Sequence, residues 1–201
     1  MALLAGVVTD GVVRLRPIKR SDGPAMLRYI AGDEEIARWT RIPSPYTQAQ
    51  CDSFLDLVDQ YNDGTTDLVT AICVGDDDEM VGSVGLHRIG VAVDPRSSFL
   101  SEEVGYWLAA KERGHGIMTR CARLLTHYAL ANLAMPKVRL QTIAGNVASQ
   151  RVALAVGYRY VGLVHGTELS DDTHDSERYE MTRDDFIAAN GAMRPLEVTQ
   201  V

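Results

Sequence analysis

The spacing of apolar residues predicts strands and helices through most of the chain. Segments that alternate in polarity or form short apolar runs predict strands over residues 12–16, 68–74, 80–86, 103–109, 137–143, 158–164 and 178–181. Apolar residues at helical spacing predict helices over residues 22–30, 33–39, 47–61, 116–133 and 146–156, and a short last helix after Thr182. The run Leu68–Val74 is almost wholly apolar, as is typical of a strand covered on both faces. These elements predict an α/β fold with one mixed sheet and helices on both faces.

Residues that favour helix ends support these boundaries. Ser21 is placed to cap the first helix, and Thr47 with Gln50 has the spacing of a capping box. Asn146 is expected to begin the fifth helix. Gly157 is expected to end that helix, because glycine adopts the left-handed conformation of this position without strain.

The composition fits one globular domain. The chain has 201 residues, of which 46% are hydrophobic and 23% charged, and this suffices for a sizeable core. No internal repeat interrupts it. We therefore expect a single domain over residues 1–189 and a flexible C-terminal tail over residues 190–201. Polar loops are expected at residues 88–101 and 165–175.

Charge and cysteine content argue against several classes of protein. The formal net charge of −7 argues against nucleic acid as a partner, because nonspecific binding to it needs a basic surface. No apolar run approaches the roughly 18 residues that span a bilayer, and the first residues lack the basic start of a signal peptide, so no membrane association is expected. Cys51, Cys73 and Cys121 are far apart, which favours free thiols in a reducing cytoplasm over a disulfide framework. The five histidines lack the spacing of a metal site.

A glycine-containing turn between the strand ending near Ala109 and the next helix carries the clearest chemical signal. The turn Arg113-Gly114-His115-Gly116 directs backbone N–H groups and the positive end of a helix dipole at one spot. Such a spot favours a phosphate group, and residues without a Cβ let it approach the main chain. The turn therefore predicts a site for a phosphorylated ligand at the end of a strand.

Three known phosphate-binding loops share this glycine content. A Walker A loop needs a lysine after its last glycine, and none follows here. A dinucleotide fingerprint needs a third glycine where Thr119 stands. The coenzyme A loop Arg/Gln-x-x-Gly-x-Gly/Ala matches residues 113–118 except at Met118, where the backbone N–H is kept and the side chain must turn away from the diphosphate. On the motif alone, a plain strand-to-helix turn remains the alternative.

Several further segments are characteristic of one family. They are Leu15-Arg16-Pro17, Glu35–Trp39, Gly82–Leu86, Glu103–Leu108 and Asn146-x-x-Ser149 leading to Gly157-Tyr158. These segments and their order resemble the GNAT superfamily of N-acetyltransferases, in particular its RimJ/RimL-like branch, which includes enzymes that acetylate the N-terminal amine of ribosomal proteins. The resemblance covers about residues 10–187. It implies the GNAT acyl-CoA N-acyltransferase fold, in which the sheet splays between the fourth and fifth of the predicted strands.

The resemblance implies acetyl-CoA as the cofactor. Its pantetheine arm would lie in the slot between the splayed strands and pair with strand backbone. Its diphosphate would sit on the amides of the glycine turn and the following helical residues. The cofactor-binding residues expected on this basis are Trp107, Leu108, Ala109, Arg113, Gly114, His115, Gly116, Ile117, Met118, Thr119, Asn146 and Ser149.

Acyl transfer from a thioester needs a neutral amine, a stabilised oxyanion and a proton for the departing thiolate. Glu103 lies on the strand that lines the slot and is the first candidate for the general base, acting through water; the alternative is a solvated or salt-bridged carboxylate. Ser149 matches the family position whose hydroxyl faces the thioester sulfur, and it would protonate the thiolate. Its alternative is a local backbone hydrogen bond. Transfer would be direct, with no metal.

The resemblance also implies a primary amine as the acceptor. In related enzymes the segment between the first two predicted strands forms one wall of the acceptor cleft, and the residues expected there are Asp33, Glu34, Glu35, Trp39 and Tyr46. A protein or peptide N-terminal amine is the first choice, because at neutral pH it costs about 3.3 kcal/mol less to deprotonate than a lysine side chain. The alternatives are a small-molecule amine or antibiotic acetyltransferase and a catalytically silent acyl-CoA-binding module. A homodimer is an alternative to a monomer.

Overall fold

The computed structural model describes residues 3–63, 66–89, 102–166 and 174–200. Within these ranges the strands form one sheet in the order β1-β2-β3-β4-β5-β6-β8-β7. In chain order they are β1 Val8–Thr9, β2 Val13–Pro17, β3 Leu68–Val74, β4 Gly82–His87, β5 Glu103–Leu108, β6 Lys137–Ile143, β7 Arg159–Val164 and β8 Ser176–Thr182. Neighbouring strands are antiparallel, except that β5 and β6 are parallel.

Helices cover both faces of this sheet. They are α1 Gly23–Ile30, α2 Glu34–Trp39, α3 Gln48–Asp63, α4 Ile117–Ala131, α5 Val147–Val156 and α6 Arg183–Asn190. The first three pack in one core cluster around Met26, Ile36 and Leu55, together with Trp107 of β5. The last three pack in the larger cluster, where Leu125 of α4 is fully buried. Burial of these two apolar faces holds the three layers together.

The two parallel strands are joined over a short stretch. Glu103 and Val104 of β5 lie opposite Arg139 and Leu140 of β6, and the register of the described residues contains no further pair between them. On its other side, β5 stays in register with β4 as far as Leu108. The end of β5 therefore parts from β6 and opens a slot. This splay between the fourth and fifth predicted strands confirms the expected fold.

Most predicted elements are confirmed, with ends that shift by a few residues. The strands β3 and β6 have the predicted bounds. Asn146 caps α5 by accepting a hydrogen bond from the Ser149 amide, and Gly157 ends the helix with a φ of 104°. The Gln50 side chain accepts from the Thr47 amide at 2.7 Å, as its capping-box spacing predicted.

The start of the first helix differs from the expectation. Ser21 does not cap it, because this residue lies inside a short 3₁₀ turn, Arg20–Asp22, that precedes α1. The Asp22 carboxylate instead accepts two hydrogen bonds from the Arg16 guanidinium, at 2.7 and 2.9 Å, and both residues are buried. Buried charges must be paired, so a contact between β2 and the turn takes the place of a local cap. The strand β1 was not predicted, since two residues carry no periodicity.

The chain after α6 makes contacts that the expectation of a flexible tail did not include. Thr199 and Val7 exchange two backbone hydrogen bonds, at 2.8 and 3.0 Å. The Leu196 amide donates to Oδ1 of Asn132 at 2.9 Å, and Met193 is buried. In the structure, residues after 190 thus pack against α4 and the N-terminal segment.

Three other expectations can be compared with the described residues. The predicted loops at 88–101 and 165–175 lie largely outside them, because residues 90–101 and 167–173 are not described. Across the described ranges, no helix combines the length and apolarity that a membrane crossing needs. The cysteines are free and buried, as their spacing predicted.

Candidate active site

The open edge of β5 presents backbone groups to the slot. The Ala109 amide donates toward β4 at 2.8 Å, whereas the Glu102 carbonyl accepts from Arg139 of β6 at 2.9 Å. Alternate residues of a strand point their N–H and C=O groups to the same edge, so those of Tyr106 and Leu108 face the slot. An extended ligand that contains amides can add to such an edge.

The residues predicted to contact pantetheine divide by this alternation. Leu108 has its backbone groups at the open edge, and those of Trp107 and Ala109 face β4. The Trp107 side chain packs in the α1–α3 cluster, and Leu108 packs in the α4–α6 cluster. The slot therefore lies between two well-packed layers.

The glycine turn has the geometry expected of an anion site. Gly114 and Gly116 have φ angles of 80° and 76°, and a Cβ on either residue would meet nothing within 4 Å. Gly116 begins α4 without a side-chain cap, so the amides of Ile117 to Thr119 have no intrahelical acceptor. The Met118 side chain is buried in the larger core cluster, turned away from these amides as the sequence required.

Arg113 turns from this loop toward the predicted acceptor wall. Its Nε donates to the Leu108 carbonyl at 3.0 Å, and its guanidinium pairs with Oδ2 of Asp33 at 2.5 Å. The other oxygen of Asp33 accepts from the Glu35 amide at 3.1 Å and so caps α2. One carboxylate thus joins the start of α2 to the segment that leads into the glycine turn. The structure brings together two residues that were predicted separately, one for the cofactor and one for the acceptor.

The other residues predicted for the acceptor wall occupy different environments. Glu34 is exposed. Glu35 accepts a hydrogen bond from the Trp39 indole at 2.8 Å, which lowers the pKa of that carboxyl. Tyr46 is buried in the α1–α3 cluster, and burial raises its pKa. Tyr46 thus packs in this cluster, and its place in the acceptor wall stays a prediction.

Ser149 and Tyr106 form a hydroxyl pair beside the slot. Their oxygen atoms are 2.7 Å apart, and Ser149 is buried. Asn146 orients this region, because its side chain accepts from the Ser149 amide at 3.1 Å. Burial raises the pKa of Tyr106 to about 12, against a smaller opposing effect of the bond to Ser149. The phenol therefore keeps its proton at neutral pH and can serve as a donor.

Glu103 lies on the opposite face of β5 from this hydroxyl pair. Side chains alternate along a strand, which places Glu103 and Trp107 on the α1–α3 face and Tyr106 on the α4–α6 face. One oxygen of Glu103 accepts from the Arg88 guanidinium at 2.7 Å, and its side chain is 15% exposed. Glu103 is thus salt-bridged, which was the predicted alternative to its role as the general base.

Two residues that were given no role from the sequence lie at this end of β5: His87 next to Glu103, and Asp67 next to His87. His87 is the cross-strand neighbour of Glu103, and Nδ1 of His87 is 3.2 Å from Oδ1 of Asp67. The glycines Gly85 and Gly105, which leave space beside His87, are a feature of the sequence that could have pointed to this histidine. The sequence does not show that they lie together, because the pairing of β4 with β5 depends on the register across the intervening loop.

A splayed parallel strand pair beside a glycine turn at a helix start is the architecture that the resemblance implied. A family model described as "Acetyltransferase (GNAT) domain" matches residues 13–159, and the chain belongs to this family.

Known relatives agree with this assignment at low identity. The chain is 29% identical over 92 residues to "Probable N-acetyltransferase YjcK" of Bacillus subtilis, covering 46% of this chain and 48% of the relative. It is 26% identical over 99 residues to "Ribosomal-protein-serine acetyltransferase" of Escherichia coli, covering 49% and 52%. The chain thus spans about half the length of the curated relatives it matches. Among solved structures, Mycobacterium smegmatis RimJ in complex with CoA-disulfide has a TM-score of 0.71 at 21% identity, covering 94% of this chain and 95% of that one.

Proposed function

We propose that the protein transfers an acetyl group from acetyl-CoA to a primary amine, with the N-terminal amine of a protein or peptide as the acceptor. The observation that carries the proposal is the slot along the end of β5. It has a strand edge on one side, an uncapped helix start beyond it and a buried hydroxyl pair beside it.

The residues present fit the acetyl donor. The amides of Gly116 to Thr119 would hold the diphosphate, since they combine free N–H groups with the positive end of α4. The backbone groups of Tyr106 and Leu108 would pair with the pantetheine amides. When bound, acetyl-CoA supplies an acetyl group activated as a thioester.

The hydroxyl pair supplies the proton that the leaving thiolate needs. Ser149 and Tyr106 share one hydrogen bond, so a proton passed by one hydroxyl can be replaced through the other. Because the raised pKa of Tyr106 keeps the phenol protonated, the pair retains a proton to donate at neutral pH. This arrangement supports general-acid assistance by Ser149, with Tyr106 as the proton source behind it.

The acceptor would approach from the opposite face of the sheet. Glu103 lies there in its ion pair with Arg88, and a carboxylate of this kind can also accept a hydrogen bond from a cationic amine. The names of two relatives refer to ribosomal-protein acetyltransferases or to RimJ. With the lower cost of deprotonating an α-amine, these names favour a protein N-terminus as the acceptor of this chain.

The proposal is tested with a panel of acceptors and acetyl-CoA. The panel contains peptides with a free N-terminus and no lysine, the same peptides with a blocked N-terminus and one lysine, and small primary amines. Release of free thiol is measured, and mass spectrometry locates the added acetyl group. We expect thiol release and acetylation with the free N-terminal peptides and neither with the blocked ones.

Each other outcome contradicts a defined part of the proposal. Acetylation of small amines alone would reject the protein N-terminus as the acceptor. Binding of acetyl-CoA without transfer to any amine would favour the silent binding module. Absence of acetyl-CoA binding would reject the donor assignment itself.

A further inference from the structure

His87 lies beside two glycines on the α1–α3 face of the sheet, near the point where β5 parts from β6. It ends β4 opposite Glu103, and one step along the same face Gly85 lies opposite Gly105. A methyl group placed on Gly105 would be 3.3 Å from Nε2 of His87, and one on Gly85 would be 3.4 Å from it. The imidazole therefore lies close to the sheet at Gly105, where a larger residue would crowd it.

This position coincides with the point where the slot begins. Val104 is the last residue of β5 that pairs with β6, and Gly105 is the next residue along the strand. Nε2 of His87 thus lies over Gly105 on the α1–α3 face of β5, level with the point where the slot begins. The His87 side chain is 34% exposed, so a ligand can reach it.

Asp67 holds the imidazole by its other nitrogen. Oδ1 of Asp67 is 3.2 Å from Nδ1, and the same carboxylate accepts from the Arg88 amide at 3.3 Å and the Thr66 hydroxyl at 2.9 Å. These contacts, with His87 first, lower the pKa of Asp67 and keep it ionised. A carboxylate only accepts hydrogen bonds, so Nδ1 carries the proton and the lone pair of the neutral ring is at Nε2.

We propose that His87, positioned by Asp67, is the general base that takes a proton from the amine acceptor in the slot. This inference rests on the proposed function and deepens it. Among the described residues, the charged neighbours of His87 include Asp67 before β3, Arg88 after β4 and Glu103 on β5. Arg88 pairs with Glu103, and Nε2 is the ring nitrogen of His87 that the contact with Asp67 leaves available.

The protons and bonds of the transfer balance. The ammonium group gives one proton to Nε2 of His87, and the resulting imidazolium is stabilised by Asp67. The neutral amine then forms a bond to the acetyl carbon, and the bond from that carbon to sulfur breaks. The second amine proton passes to solvent water, the thiolate gains a proton from the Ser149 and Tyr106 hydroxyls, and solvent water returns one proton to that pair. His87 releases its proton to solvent, so each turnover yields one amide, one thiol and one proton.

Histidine suits this position because its side chain exchanges protons near neutral pH. The arrangement also separates the two proton transfers. The base lies on the α1–α3 face of β5 and the hydroxyl pair lies on the α4–α6 face, so neither group can neutralise the other directly.

The role of His87 is tested by comparing H87Q with the parent protein on two acceptors. One acceptor is a peptide with a free N-terminus, and the other is hydroxylamine, which is largely unprotonated at neutral pH. H87Q should lower kcat with the peptide by about 100-fold or more and change the rate with hydroxylamine much less. H127Q is the matched control, because His127 lies on α4, on the other face of the sheet, and contacts the Arg194 carbonyl. It should leave both rates unchanged.

Two further variants separate positioning and charge from proton transfer. D67N removes the negative charge beside the ring, which destabilises the imidazolium and should move the acidic limb of the kcat profile to lower pH. E103Q should raise KM for a cationic acceptor and should move that limb less than D67N does, because Asp67 is the carboxylate bonded to the ring. An equal loss in H87Q with both acceptors, or full peptide activity in H87Q, would overturn the role of His87.

A measurement that does not depend on acetyl transfer tests the role of His87 separately from the proposed function. Nitrogen chemical shifts of the His87 ring should show Nδ1 protonated in the neutral form, and D67N should reduce this preference. A ring protonated at Nε2 would overturn the role of His87 even in an active enzyme. Failure of the parent to acetylate any amine would instead refute the proposed function.

Discussion

At the scale of single residues, the Ser149 and Tyr106 hydroxyls form a pair in which either can be the donor. Ser149 uses its two polar groups separately, because its amide donates to the Asn146 side chain while its hydroxyl bonds to Tyr106. The bond to Asn146 fixes the residue and leaves the side chain available to Tyr106.

Removal of the Ser149 hydroxyl should slow the release of the thiol. We expect S149A to lower kcat by about 10- to 100-fold with no recovery at high pH, because water supplies that proton poorly at any pH. Y106F keeps the ring and should cost less, and the double variant should cost little more than S149A because the two hydroxyls act in series. The measurement is a pH series of thiol release for all three variants.

The control for S149A is H87Q, the variant that removes the proposed general base. H87Q should recover in part at high pH, where the acceptor is already neutral. Identical pH profiles for H87Q and S149A would show that at least one of the two roles is misassigned. Unchanged rates in both would leave alignment of amine and thioester as the source of the acceleration.

At the scale of secondary-structure elements, the start of α4 is the feature that binds the donor in this account. Gly116 has positive φ and open space around its missing Cβ. We expect G116D to abolish most of the thermal stabilisation that acetyl-CoA gives the parent, because a carboxylate would face the diphosphate. At a ligand concentration 100 times Kd that stabilisation corresponds to about 2.7 kcal/mol. Differential scanning fluorimetry with and without acetyl-CoA measures it.

G11D is the matched control for G116D. Gly11 also has positive φ and nothing within 4 Å of an added Cβ, and it lies in the turn between β1 and β2. Its substitution imposes similar backbone strain and the same charge. G11D should therefore lower the melting temperature of the free protein and keep the full shift with acetyl-CoA. A full shift in G116D would reject the phosphate site.

Local signals explain which elements could be predicted. The strand β6 and the helix α5 were predicted with their observed bounds because apolar alternation, Asn146 and Gly157 all act within a few residues. The pairs Asp33–Arg113 and Asp67–His87 join residues 80 and 20 positions apart. No periodicity reports such contacts, because they depend on how elements pack. The bridge between Val7 and Thr199 was missed for the same reason.

At the scale of the whole molecule, the sheet separates the chemical tasks between its two faces. The larger core cluster carries α4, with its glycine turn, and α5, with Ser149. The other face carries Glu103 at the start of β5 and His87 at the end of β4. The two faces are connected by the opening where β5 parts from β6. A donor threaded through that opening would present its thioester to both faces.

The most direct test of this account is a crystal structure of the protein with coenzyme A. We expect the diphosphate to bind to the amides that follow Gly114. We expect the pantetheine amides to pair with the backbone of Tyr106 and Leu108 between β5 and β6. The sulfur should lie within reach of the Ser149 hydroxyl. Coenzyme A bound elsewhere, with the slot between β5 and β6 closed, would contradict the central claim.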